Sequence, residues 1–103
     1  MIVISGTITI DPAKRDVAIA AMRDLMTETR KEKGCVTYVM SGDFEDAGTI
    51  RLFEEWESQT ALDAHTKAPH MAKFGAQVAQ LGFRGMKLER YEVSSKAPLG
   101  GKR

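Results

Sequence analysis

The segment from Phe53 to His70 reads FEEWESQTALDAHTKAPH, and it contains the only tryptophan of the chain and both of its histidines. Its first residues have the character of a strand that closes at Trp56, and Ser58 is placed to cap a helix that follows. Leu62 and His65 lie three residues apart, so they share one face of that helix. This one continuous segment therefore joins an aromatic ring to an imidazole.

A second helix is predicted to follow at once, because Pro69 is suited to the first turn of a helix. Apolar residues then recur at the spacing of a single helical stripe. The members of this stripe are Met71, Phe74, Val78 and Leu81. The helical segment is predicted to run from Ser58 to Leu81, and Gly82 and Gly85 bracket the turn into a last strand, Met86 to Val93.

The chain begins with a period-two alternation that predicts a strand from Ile2 to Ile10. Gly6 interrupts its apolar face, and we interpret this glycine as a bulge rather than as a ligand contact. Asp11 followed by Pro12 is typical of a helix start, and the helix is predicted to continue to Lys33.

Residues rich in β-branched and aromatic side chains predict strands at Cys35–Ser41 and Thr49–Glu57, joined by a hairpin loop. The order β-α-β-β-α-β predicts an α+β, ferredoxin-like fold with an antiparallel sheet. The predicted domain covers residues 1–93, and residues 94–103 are predicted to form a flexible tail because they carry no periodicity. Since the helices can cover only one sheet face, we expect the other face to meet a second copy in a homodimer.

Composition excludes several classes of partner. Fifteen Lys plus Arg residues against fourteen Asp plus Glu give a net charge of +1, which offers no field to attract nucleic acid or an anionic membrane. The longest purely aliphatic run, Met1 to Ile4, is too short for a signal-peptide core or a membrane span. The single cysteine, Cys35, cannot form an internal disulfide, which fits a reducing compartment. The expected location is the cytoplasm.

Motifs for common cofactors are missing from the sequence, which has no Walker loop, no G-x-G-x-x-G, no paired cysteines and no G-x-S-x-G. His65 and His70 are five residues apart with a proline between them, so they do not share a helix face in the manner of a zinc helix. We therefore expect neither a metal nor an organic cofactor.

Aromatic and methionine residues instead predict an apolar chamber between the sheet and the helices, with His65 aimed into it as a polar group. The predicted lining consists of Trp56, Tyr38, Phe53, Phe74, Met40 and Met71. The same residue types are common in ordinary cores, so a purely structural role stays open.

A buried imidazole at His65 needs a hydrogen-bond partner, either a carboxylate such as Glu54 or a substrate hydroxyl. His70, in contrast, is expected to be structural.

The central segment also resembles the antibiotic biosynthesis monooxygenase family, and bacterial quinol monooxygenases in particular. The matching residues are Glu55, Trp56, Glu57, Ser58, Leu62, Ala64, His65, Pro69, His70 and Met71. A second motif of the family is matched by the run KEKGC, from Lys31 to Cys35.

The resemblance implies a dimeric α+β barrel. It also implies oxygenation of an electron-rich phenol, anthrone or quinol by molecular oxygen without flavin, haem or metal. His65 would then act as the base and Trp56 would shape the pocket. Arg51 or Arg84 could offset the developing charge.

Two other functions stay open beside this one. Haem-degrading relatives use an asparagine on the first strand, and this chain contains no asparagine, which disfavours that activity. A dimeric binding module for an apolar aromatic or a quinone would use the same chamber without chemistry. An isomerase of a small phosphorylated diketone would need a convergent basic pocket, which the sequence does not reveal.

Overall fold

The computed structural model describes residues 1–100 as a four-stranded sheet with helices on one side. In chain order the main elements are β1 (Ile2–Ile10), α1 (Arg15–Thr29), β2 (Cys35–Gly42), β3 (Thr49–Trp56), α2 (Gln59–Thr66), α3 (Pro69–Gln77) and β4 (Phe83–Glu92). Short 3-10 helices precede α1, at Pro12–Lys14, and follow α3, at Val78–Leu81. The predicted α+β, ferredoxin-like order of elements is confirmed.

The strands lie in the order β2-β3-β1-β4, and every neighbouring pair is antiparallel. Because side chains alternate along a strand, residues two apart on β3 face the same side of the sheet. Ile50, Leu52, Glu54 and Trp56 are all buried on the side that the helices cover. The core lies between this inner face and the helices, and the opposite, outer face carries the other set of side chains.

The predicted cap at Ser58 is confirmed, whereas Asp11 caps the 3-10 helix Pro12–Lys14 that precedes α1 rather than α1 itself. Asp11 Oδ1 accepts a hydrogen bond of 2.9 Å from the N–H of Ala13, and Ser58 Oγ accepts one of 3.1 Å from the N–H of Ala61. Each bond satisfies one of the backbone donors that a helix start leaves without an intrahelical partner.

The first helix ends at Thr29, four residues before the predicted end. After Thr29 the backbone tightens, because the N–H of Glu32 bonds to the carbonyl oxygen of Thr29, three residues earlier, at 2.9 Å. Gly34 then takes a left-handed conformation with φ of 85° and leads the chain into β2. Glu32 therefore stands in a turn, where its side chain is free to point back toward the helices that follow β3.

The interpretation of Gly6 as a bulge was wrong. Pairing is continuous through Gly6 on both sides, and the register shift between β1 and β4 lies at Thr9 and Ile10. Gly6 is needed for close backbone approach instead, since a Cβ there would lie 1.9 Å from the carbonyl oxygen of Lys87 on β4. The last strand also begins at Phe83, three residues earlier than predicted.

The outer face carries exposed apolar side chains, with Val39 37%, Phe53 40% and Tyr91 46% accessible. Glu55 is buried on this face, where its Oε2 accepts a 2.7 Å bond from Nζ of Lys96 in the predicted tail. Residues 101–103 of that tail lie outside the described residues. Within residues 1–100, no helix has the length and apolar character needed to cross a membrane.

Candidate active site

A cavity of about 290 Å³ lies between the inner face of the sheet and the helices. Its walls come from all four strands and from α1 and α3, and they are apolar except for two side chains, Tyr38 on β2 and Glu54 on β3. Met40, Met71 and Phe74 also line it. The cavity has the features of a small-molecule site, namely an apolar enclosure with a few polar groups that could orient a ligand.

Glu54 contributes a buried carboxyl group to the wall of this cavity. Only 6% of the residue is accessible, and no basic side chain among residues 1–100 forms a salt bridge with it. Its Oε1 accepts a 2.9 Å hydrogen bond from the indole N–H of Trp56. Burial raises the pKa of the Glu54 carboxyl above its ordinary value, and the Trp56 N–H and nearby His65 offset only part of this effect.

Tyr38, the second polar group of the lining, is 3% accessible. Burial raises the pKa of its phenol well above the ordinary value, and the neighbouring Glu54 adds to the shift. The side chain therefore stays neutral across the physiological range and can serve only as a hydroxyl and an aromatic surface.

His65 does not line the cavity, contrary to prediction. Its ring packs on the indole of Trp56, with centroids 4.7 Å apart, and meets the edge of Tyr38 at 5.4 Å. Trp56, which is fully buried, is also missing from the cavity wall. The predicted pair is thus brought together, but neither of the two residues is part of the cavity wall.

The carboxylate partner of His65 is Glu32 and not Glu54. Oε2 of Glu32 lies 2.6 Å from Nδ1 of His65 and 2.8 Å from Nε2 of His70, so one oxygen accepts from both imidazoles. His70 thus belongs to the same hydrogen-bonded group, which joins α2, α3 and the turn after α1. Sequence reasoning missed Glu32 because it placed this residue inside the first helix.

Glu32, His65 and His70 are also the group, within residues 1–100, whose ligand atoms come near enough to hold a metal ion, all within 4.8 Å of one another. The carboxylate oxygen of Glu32 lies at hydrogen-bond distance from a ring nitrogen of each histidine. Two ligands that each lie about 2.0–2.1 Å from a tetrahedral zinc ion are about 3.4 Å apart, whereas the oxygen-to-nitrogen distances here are 2.6 and 2.8 Å. As placed, the three side chains are hydrogen-bonded to one another.

Three other predicted residues lie away from the cavity. Phe53 is on the outer face, because it is one residue from Glu54 and side chains alternate along β3. Arg51 bonds to Asp43 at 3.1 Å, and Arg84 pairs with Asp11 at 3.5 Å. Neither arginine is part of the cavity wall.

The sequence matches the family model described as "Antibiotic biosynthesis monooxygenase" over residues 1–77. It is 37% identical over 70 residues to a Mycobacterium tuberculosis protein named "Putative monooxygenase Rv0793", and the match covers 68% of each chain. It is 27% identical over 93 residues to "Uncharacterized protein sll1783" of Synechocystis, of whose length it spans 63%, and that match covers 90% of this chain.

The fold has a close counterpart among solved structures. A crystal structure from Deinococcus radiodurans, described as a "putative antibiotic biosynthesis monooxygenase", superposes with a TM-score of 0.86 over 93% of this chain and 95% of that one, at 22% identity. That likeness shows the shared fold, and the family match covers most of the sequence that builds the sheet and the Trp56–His65 pair. The chain belongs to the antibiotic biosynthesis monooxygenase family.

Proposed function

We propose that the chain is a cofactor-independent monooxygenase that oxidises a quinol, an anthrone or another phenolic aromatic with molecular oxygen. The observation that carries this proposal is the cavity, whose apolar wall is interrupted only by Tyr38 and Glu54. A flat ring with one or two hydroxyl groups matches such a lining. The volume of about 290 Å³ is at the small end for ligand pockets, roughly 300–1,000 Å³, and favours a quinol over a larger anthrone.

The chemistry asks little of the protein. A phenolate or hydroquinone anion can itself pass an electron to oxygen, so the protein needs to accept a proton, hold the ring and keep water away. For benzene-1,4-diol, the substrate and one O₂ give 2-hydroxy-1,4-benzoquinone and one water. One oxygen atom enters the ring and the other leaves as water, and all four electrons come from the substrate. No external reductant is required.

We also propose that the protein acts as a homodimer formed through the outer sheet face. The support is the set of exposed apolar side chains there, Val39, Phe53 and Tyr91, on a face that no helix within residues 1–100 covers. An isolated domain of this size also buries only about two-thirds of its unfolded surface, so a partner would add stability.

The two rival functions differ in what the cavity would need. The isomerase would bind a phosphate, and among the described residues no Arg or Lys is part of the cavity wall, which disfavours it. The binding module would take the same aromatic ligands without consuming oxygen, so it becomes an outcome of the experiment.

The experiment measures oxygen uptake with a hydroquinone, corrected for spontaneous oxidation, and follows ¹⁸O₂ into the product by mass spectrometry. Gly75 of α3 offers a matched pair of variants, since it lines the cavity and a Cβ there meets no atom within 4 Å. We expect Gly75→Phe to obstruct the cavity and lower the rate at least about 10-fold, while Gly75→Ala keeps it. Quinone binding without enzyme-dependent oxygen uptake would replace the monooxygenase by the binding module.

A further inference from the structure

Among residues 1–100, the cavity wall contains one carboxyl side chain, that of Glu54. Of its two ionisable groups, Tyr38 keeps its proton, and the other is Glu54. His65, the residue that the sequence favours as a base, is 2% accessible and is not part of the cavity wall. A base must come within hydrogen-bond reach of the proton that it takes. Glu54 meets this condition for a ligand in the cavity, and His65 does not.

The carboxylate of Glu54 is oriented for this task. Its Oε1 is held by the indole N–H of Trp56 at 2.9 Å, and Oε2 has no hydrogen-bond partner among residues 1–100. One oxygen is therefore anchored and the other is left to accept from a ligand hydroxyl. The anchoring donor is neutral, and no salt bridge among residues 1–100 neutralises this carboxyl group.

The surroundings make this carboxylate a stronger base than an exposed one. Burial raises its pKa, and Glu32 acts in the same direction, while the Trp56 N–H and His65 act against it. Tyr38 of β2 faces the same cavity and stays neutral. A phenol has a pKa of about 10, far above that of an ordinary glutamate, so any rise in the carboxyl pKa makes the transfer less uphill.

His65 then has a role other than that of the base. Its ring packs on the indole of Trp56 and is fixed by Glu32, which is itself bonded to His70. This sequence of contacts holds the indole whose N–H sets the position of the Glu54 carboxylate. His65 is thus a positioning residue that acts through Trp56.

On the basis of the proposed function, we infer that Oε2 of Glu54 takes the phenolic proton of the substrate, and that His65 only positions the group. In this step the O–H bond of the phenol breaks and an O–H bond forms on Glu54, leaving the phenolate to react with oxygen. The proton on Glu54 later leaves with the oxygen atom that becomes water. The same carboxyl is therefore restored to its charged form at the end of each turnover.

The first test is a binding experiment without oxygen chemistry. Isothermal titration compares 2-naphthol with its methyl ether, 2-methoxynaphthalene, under anaerobic conditions. We expect the protein to prefer the naphthol at least about 10-fold, because a charged acceptor forms the stronger hydrogen bond with a hydroxyl. The preference should disappear in Glu54→Met, which removes the acceptor with little change in volume. It should persist in Glu55→Met, the same substitution one residue along the strand.

The second test is kinetic. Glu54→Met should lower kcat for hydroquinone oxidation by about 10²- to 10⁴-fold, as expected for the loss of a general base, and should remove the acidic limb of the kcat/KM profile. His65→Gln should lower the rate less than about 10-fold and keep that limb, with circular dichroism confirming that each variant is folded.

The opposite pattern, in which His65→Gln loses the limb and Glu54→Met keeps it, would overturn the inference. Equal binding of the naphthol and its ether by the unaltered protein would overturn it as well, while oxygen uptake would still decide the proposed function. If neither compound binds, the cavity is not an aromatic site and both proposals fail together.

Discussion

Two adjacent glutamates on β3 are buried to nearly the same extent and yet differ in every contact. Glu54 faces the helices and is 6% accessible, and Glu55 faces outward and is 7% accessible. Glu54 accepts from a neutral indole N–H, whereas Glu55 accepts from the ammonium of Lys96. A buried carboxylate needs either a compensating charge or a shift of its pKa, and the outer face supplies the cation that the inner face lacks.

The difference separates a structural carboxylate from a candidate functional one. A buried acid without a cation costs stability, so its presence on an otherwise apolar face is more easily explained by chemistry than by folding. The inner face also offers space beside this acid, while the outer face offers apolar surface around its ion pair. Each face can therefore be tested by substitutions that change the surroundings of its buried glutamate.

The largest effect is expected from placing a charge at the centre of the outer face. Phe53→Glu would bury an unpaired carboxylate beside Glu55 if a second copy covers this face, and should weaken the dimer by about 3 kcal/mol or more, roughly 100-fold in Kd. Sedimentation velocity over a concentration series measures it.

Phe44, fully exposed in the loop between β2 and β3, provides the matched control, and Phe44→Glu should leave association unchanged. An unaltered protein that is monomeric at micromolar concentration would contradict the proposed dimer.

The next effect concerns the one hydrogen-bond donor that Glu54 has among residues 1–100. Trp56→Phe keeps an aromatic ring but removes the indole N–H, leaving a buried carboxyl without a partner, so the free energy of unfolding should fall by about 2–3 kcal/mol. A urea titration measures the loss. The double variant with Glu54→Met, which removes the acceptor, should lose less than the sum of the two single changes, because the pair interacts directly. Strict additivity would mean that the 2.9 Å bond contributes nothing.

The sequence predicted much of this inner face. Period-two alternation places Glu54 and Trp56 on one face of β3, and the i,i+3 spacing of Leu62 and His65 turns the imidazole toward them. The same alternation puts Phe53 on the opposite face, so its assignment to a chamber shared with Trp56 conflicted with the strand period. An acid on the apolar face of a strand was the signal for Glu54.

Other features could not be read from local patterns. The bond between Glu32 and His65 joins residues 33 apart, and it exists only because α1 ends at Thr29. That end is set by a tightened turn and by the left-handed Gly34, and element boundaries are the least predictable part of a helix pattern. Gly6 was misread for a similar reason, since the nearby backbone of β4 comes from the far end of the chain.

A third, intermediate effect is the pH dependence of stability. Because the pKa of Glu54 is raised above its ordinary value of 4.5, the folded state holds a proton that the unfolded chain has released. This contribution to stability is complete below about pH 4.5 and is lost as pH rises through the folded-state pKa. The stability of the protein relative to Glu54→Gln should thus decline above that pH, by at most about 1.4 kcal/mol per pH unit. Urea midpoints between pH 4 and 8 measure it, and a constant difference would show that the carboxyl is not penalised by burial.

The smallest effect is expected from removing the cation of the outer face. Lys96→Met keeps the aliphatic stem and deletes the charge, which leaves Glu55 in the position of Glu54, buried without a cation. The Lys96 side chain is 57% accessible, so solvent screens its attraction to Glu55. In the monomeric Phe53→Glu background, the loss in the free energy of unfolding should therefore be below about 1 kcal/mol, and it should shrink further at high salt. Lys31→Met, which breaks the more exposed pair with Glu28, is the control and should change stability still less. In the unaltered dimer the same change should cost more, because a second copy over the face would exclude water from the pair and strengthen its attraction. Equal losses in the two backgrounds would mean that Glu55 and Lys96 lie outside the interface. The edge of the dimer interface would then lie between Phe53 and Glu55.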